Sequence, residues 1–134
     1  MHSEEDRSDM KIDIRMATNR DSPALRQFAE HALMRKLGAR AERIRRVRIR
    51  LSDANGPRGG VDKVCQIRLD LAAGGEVGAS GESLGWYEAV TIAVMNARMA
   101  VDRRLDRARA RKTREKAMFE VVERESEETR RTNA

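Results

Sequence analysis

Residues 43–71, RIRRVRIRLSDANGPRGGVDKVCQIRLDL, limit the fold more than any other part of the chain. Successive side chains of a strand point to opposite faces, so the first arm places Val47, Ile49 and Leu51 on one side and Arg46, Arg48 and Arg50 on the other. One face can enter a core. The other carries a row of guanidinium groups that repel one another at this spacing, so salt, acidic neighbours or a polyanion must neutralise them. Residues 53–61, between the arms, are rich in Asn, Gly and Pro, which supply the backbone angles of a chain reversal. The second arm, Lys63–Leu71, turns Cys65, Ile67, Leu69 and Leu71 inward and Gln66 and Arg68 outward. The expectation is an antiparallel hairpin with one apolar and one cationic face.

Further signals surround the hairpin. In residues 10–16, Ile12, Ile14 and Met16 alternate with Lys11, Asp13 and Arg15, which predicts a strand. Asp21, Ser22 and Pro23 form a helix start, Leu25, Phe28, Ala29, Ala32, Leu33 and Leu37 recur at helical spacing, and Gly38 supplies a stop. A reversal at residues 73–75 leads to a fourth strand over 76–81. From about Leu84 a long helix, capped by Ser83, carries Tyr87, Val90, Val94, Ala97, Val101, Leu105 and Ala108 as its buried stripe. Beyond Ala108 the stripe fails while charge continues, so the helix is expected to outrun its domain and fray. The order is β-α-β-β-β-α, an α+β fold with a four-stranded sheet and two helices packed on one face. This topology resembles the double-stranded RNA-binding domain with an extra leading strand. The 134 residues suit a flexible acidic leader over 1–9, one domain over 10–108, and a charged, helical or disordered tail over 109–134.

Charge is unevenly spread. Lys plus Arg number 28 against 22 acidic residues, a net +6. Residues 98–116 alone hold nine basic residues against Asp102, Asp106 and Glu115. Such concentration favours a nucleic-acid or anionic partner. No Phe or Tyr lies on the predicted strands to stack bases, so binding would depend on backbone charge and shape. Cys65 is the single cysteine and reads as a small buried thiol, while only His2 and His31 could join it at a metal. Nothing assembles a base, nucleophile or metal set, so neither an enzyme nor a cofactor nor a small-molecule substrate is expected. No apolar run approaches a membrane span and no secretory signal opens the chain, which points to the cytoplasm and away from a membrane.

The run VRIRLSDANGPRGGVDKVCQIRLDL, followed by GESLGWYEAVTIAVMNARMAVDRRL, resembles the hibernation-promoting factor and ribosome-associated inhibitor family, also labelled sigma-54 modulation proteins, in its short form. The matching frame is Leu51, Ser52, Asp53, Asn55 and Gly56, then Asp62, Lys63 and Cys65, then Ala89 and Val90. The resemblance implies a non-enzymatic factor that occupies the messenger and transfer RNA channel of the small ribosomal subunit and keeps idle ribosomes inactive. Its partners would be that subunit and its ribosomal RNA. Residues 109–134 are too short and too polar for the separate dimerisation domain of the long members.

The candidate RNA contacts are Arg46, Arg48, Arg50 and Arg68 on the sheet and Arg98, Arg103, Arg104, Arg107, Arg111 and Lys112 on the last helix, since guanidinium groups suit phosphate. The plain alternative for both sets is a solvated charged surface. Two other functional readings stay open: a general double-stranded RNA-binding module, and a protein-interaction regulator such as a sigma-factor modulator that works through the helix extension and Phe119.

Overall fold

The computed structural model of the protein describes residues 10–16, 22–54 and 61–132. The first strand, β1 (Lys11–Met16), buries Ile14 and half-buries Ile12 and Met16, in line with their alternation. The helix α1 (Pro23–Leu37) starts at Ser22, whose Oγ accepts the Leu25 N–H at 3.2 Å, and Pro23 follows where no amide donor is needed. Asp21, read as part of the same start, lies outside the described residues. Leu25, Ala29, Leu33 and Leu37 make the buried face of α1, and Phe28 and Ala32 flank it half-buried. Gly38 ends α1 without reversing the chain. Its φ of −57° and ψ of −36° stay right-handed, and the backbone tightens into a 3-10 helix over Gly38–Arg43. A glycine permits the left-handed stop but does not compel it.

Three strands follow: β2 (Ile44–Asp53), β3 (Lys63–Leu71) and β4 (Glu76–Ser83). The sheet order is β1-β2-β3-β4, with β1 parallel to β2 and the other pairs antiparallel. The β2–β3 register slips between Ile44 and Arg46. That irregularity shifts the alternation by one, so Ile44 is buried while Arg45 and Arg46 are exposed. Gly74 and Gly75 make the β3–β4 reversal with φ of 101° and 93°, angles that side-chain-bearing residues rarely adopt. The fourth strand runs two residues past its expected end, to Ser83.

The last helix, α2 (Trp86–Thr132), begins later than expected. Gly85 supplies the carbonyl that accepts the Ala89 N–H, and Ser83 is no cap: still in β4, it donates its hydroxyl to Glu88 at 2.7 Å. Ala89, Val90, Ala93, Val94, Ala97 and Val101 are buried. Tyr87, expected in that stripe, is 47% exposed and meets Phe28 edge-on at 4.9 Å between ring centroids. It sits one residue into the helix, before the buried face turns toward the sheet. Gly81 of β4 faces this helix so closely that a Cβ there would lie 2.5 Å from the Ala93 nitrogen and 2.6 Å from the Ala89 oxygen.

Arg26 of α1 donates to the Ile14 carbonyl at 2.9 Å, and Asn96 of α2 donates to the Ser80 carbonyl of the edge strand at 2.8 Å. These bonds tie each helix to the sheet and satisfy strand carbonyls that would otherwise need water. The core between them holds Val47, Ile49, Leu51, Cys65, Ile67 and Leu69 from the sheet. Burial along α2 stops at Val101; Leu105 and Ala108 are half-buried, and every described residue from Arg109 onward is exposed. The chain divides into two compact units at this point, one ending at Val101 and the other starting at Asp102. Helix continues to Thr132. Among the described residues no helix is long and apolar enough to cross a membrane.

Candidate nucleic-acid interface

The strand register decides which charges share the open face of the sheet. Paired residues point to the same side, so Lys11, Asp13 and Arg15 of β1 line up with Arg46, Arg48 and Arg50 of β2. Across the other edge of β2, Arg48 faces Arg68, Arg50 faces Gln66 and Arg46 faces Asp70, and Asp70 in turn faces Glu76. Two arginines directly opposite would repel. Acidic neighbours resolve this: Arg48 Nη2 lies 3.2 Å from Asp70 Oδ1 and 3.2 Å from Glu76 Oε2, and Arg68 Nη1 lies 2.6 Å from Glu76 Oε1. The Arg68 hydrogen bond is the main cause that holds the Glu76 carboxyl below its ordinary value, with weaker help from both guanidinium charges and some opposition from desolvation.

Arg46 and Arg50 stand differently. Both are exposed and neither has a hydrogen-bonding or ion-pair partner among the described residues. Arg15 approaches Asp13 only at 3.8 Å, with its side chain largely in solvent. These residues, with Asp13, Arg48, Gln66 and Arg68, line an open depression of about 460 Å³. The four arginines expected on the sheet thus share one face. They divide into Arg46 and Arg50, without partners among the described residues, and an internally compensated pair, Arg48 and Arg68. Arg15 was missed by sequence reasoning, although its position in the alternation of β1 was a usable signal once β1 was placed beside β2.

At the hairpin base Lys63 is held from three sides. Its Nζ lies 2.9 Å from Asp53 Oδ2, 3.3 Å from Asp62 Oδ1 and 5.4 Å from the Trp86 ring centroid. The Asp53 hydrogen bond raises the Lys63 pKa above its usual 10.5, desolvation works against it, and Asp62 adds to the rise. Asp62 is itself buried, and the Ala54 N–H closes onto its carbonyl at 2.8 Å. Most of the Asp-Lys-x-Cys frame is therefore a clip that shuts the hairpin, and Cys65 is fully buried, its thiol pushed up to about 12 by desolvation. The tip residues Asn55, Gly56 and Arg58 lie outside the described residues.

The basic residues of α2 fall into two groups. Arg98 belongs to the unit ending at Val101 and is engaged in an interaction of its own. In the second unit, Arg104, Arg107 and Arg111 follow one another by three and four residues, which stacks them on one helix face around Ala108, and they line a shallow depression of about 280 Å³. Arg103 and Lys112 are one residue away from members of this row and so point roughly 100° aside. Of the residues expected on this strip, Arg104, Arg107 and Arg111 share one depression.

Neither a family model nor a curated protein matches this sequence. Solved structures do. A ribosomal subunit interface protein from Coxiella burnetii is similar with a TM-score of 0.59 at 23% identity, covering 75% of this chain and 99% of the other. The N-terminal domain of Protein Y from Thermus thermophilus is similar with a TM-score of 0.56 at 26% identity, covering 70% of this chain and 98% of the other. The resemblance to the hibernation-promoting factor family extends to the fold. Almost the whole of each neighbour is covered, so the four-stranded sheet and two helices of this chain match a fold already seen in solved structures.

Proposed function

We propose that this protein is a non-enzymatic ribosome-binding factor that occupies the messenger and transfer RNA channel of the small subunit and keeps idle ribosomes inactive in the cytoplasm. The observation that carries the reading is the coincidence of the hibernation-factor-like fold with two sets of arginines, exposed Arg46 with Arg50 and half-buried Arg104 with exposed Arg107 and Arg111. One neighbour of that fold is a ribosomal subunit interface protein, which supports a ribosomal partner. Guanidinium groups in these positions neutralise ribosomal RNA phosphates and release counterions, so affinity falls steeply with salt. Arg48 and Arg68 share the depression with the first set, and Arg98, Arg103 and Lys112 add to the positive field of the last helix.

Co-sedimentation with purified small subunits over a salt series tests the reading. Binding at low salt that is lost as salt rises is expected, and absence of binding at the lowest salt sinks it. Replacing Arg104, Arg107 and Arg111 by Glu should abolish pelleting and leave thermal unfolding nearly unchanged, because all three lie beyond Val101, the last fully buried residue of the helix.

One observation favours a second reading, a protein-interaction regulator. Met118, Phe119, Val121 and Val122 are all exposed, Met118 by 70% and Phe119 by 62%. Salt-insensitive binding to a protein partner, lost on Phe119→Ala, would select that reading over the ribosomal one.

A further inference from the structure

Glu76 bridges two arginines of the open sheet face. Its carboxylate spans two guanidinium groups, Oε1 accepting from Arg68 at 2.6 Å and Oε2 accepting from Arg48 at 3.2 Å. Arg forms such pairs with carboxylate and phosphate alike, because both present oxygens at a spacing the planar donors match. The arrangement is also incomplete: Arg48 Nε has no hydrogen-bond acceptor among the described residues. A phosphodiester presents two anionic oxygens and one negative charge, as the carboxylate does, and so fits the same pair of donors. Arg46 and Arg50 lie on either side of Arg48 along β2, exposed and without partners among the described residues.

We infer that the open sheet face is a phosphodiester-binding site with Glu76 as its resident anion: Arg46 and Arg50 capture the RNA backbone, and a phosphate then replaces Glu76 between Arg48 and Arg68. The inference rests on the reading of this chain as an RNA-binding factor and adds the mode of exchange. Solvent-exposed ion pairs of the kind Glu76 makes are weak, so a phosphate already held nearby can displace them. Glu76 is then a positioning residue that sets how many arginines face an incoming strand. It keeps the face from collecting anions indiscriminately while leaving two arginines in reserve.

The test is direct titration of a short, labelled oligouridylate over a salt series, using the full chain and its variants. Glu76→Gln keeps the shape, removes the charge that holds Arg68 and leaves Arg48 with Asp70 alone, and it should tighten binding roughly three- to tenfold and steepen the salt slope by up to about 1.4, the value for two further contacts on a single strand. Glu82→Gln changes net charge equally on the same strand and the same face, several residues from either arginine, and should have a smaller effect. In a double-mutant cycle, Arg68→Gln should cost more affinity in the Glu76→Gln background than in the natural chain. Equal effects of the two Gln variants, or an equal cost of Arg68→Gln in both backgrounds, would overturn the exchange. Small-subunit pelleting run in parallel separates the two claims: oligouridylate results as expected without subunit binding remove only the ribosomal reading, and subunit binding unaffected by Glu76→Gln with flat oligouridylate titrations removes only the exchange.

Discussion

Arg46 and Arg48 stand two residues apart on the same strand and the same face, yet among the described residues one has no partner and the other is bound from two sides. The difference lies in their cross-strand neighbours, since only Arg48 is reached by both Asp70 and Glu76. This has a pH signature. The folded Glu76 pKa lies below its ordinary 4.5, so its clamp contributes fully at neutral pH and is lost as pH falls through the folded value. Thermal melts of the natural chain and of Glu76→Gln should therefore differ by a constant amount from neutral pH to about 5 and converge below it. A difference that persists into strong acid would locate its origin elsewhere. Cys65 makes a second residue-level prediction. Burial and a pKa near 12 leave almost no thiolate at neutral pH, so alkylation of the folded protein should be negligible while the denatured chain labels completely, as read by mass spectrometry. The burial of Cys65 was legible from strand alternation alone, whereas the pairing of Arg48 was not: it depends on how the β3–β4 register brings Glu76 beside Arg68, which no single strand reveals.

Elements were read well where one local rule governed them. Ser22 and Pro23 located the start of α1, and the inward set of β3 followed from period-two alternation. Errors arose where a long-range contact or an optional conformation decided. Gly38 had no tertiary reason to turn left-handed, and Ser83 was kept in β4 by its pairing with Lys63, which moved the start of α2 to Trp86. Gly81 shows such a contact at its closest. The sequence marks it only as a poor strand former, but it is the residue that lets α2 approach the sheet at Ala89 and Ala93. Gly81→Ala places a methyl group against backbone that cannot retreat without moving the helix, and it should destabilise the first unit by about 1–3 kcal/mol. Chemical denaturation checks this, with Gly78→Ala as control: that position has the same strand setting and nothing within 4 Å of an added Cβ. Equal losses at both sites would mean that strand propensity, and not the helix approach, sets the cost.

At the scale of the whole molecule, burial and helix end at different places. The tertiary core closes at Val101, while α2 continues to Thr132 with its side chains in solvent. A lone polar helix gains little beyond its own hydrogen bonds and side-chain pairs, because most helical stability in proteins comes from packing an apolar face. The two halves of α2 should therefore differ sharply in protection although they share one backbone ladder. Hydrogen exchange followed by mass spectrometry should find the amides of residues 90–101 opening only with the global unfolding of the first unit, and those of residues 109–132 exchanging by local fraying, orders of magnitude faster. Trypsin should likewise cut among Arg103, Arg104, Arg107, Arg109 and Arg111 and leave the preceding unit intact with an unchanged unfolding midpoint. Binding to RNA would reverse the second half of this pattern, since phosphates on Arg104, Arg107 and Arg111 neutralise the repulsion that works against the helix there. Protection of residues 102–112 that rises on adding small subunits, with no change in residues 90–101, is the outcome expected if this strip is a contact. Uniform exchange in both conditions would leave the sheet face as the sole candidate.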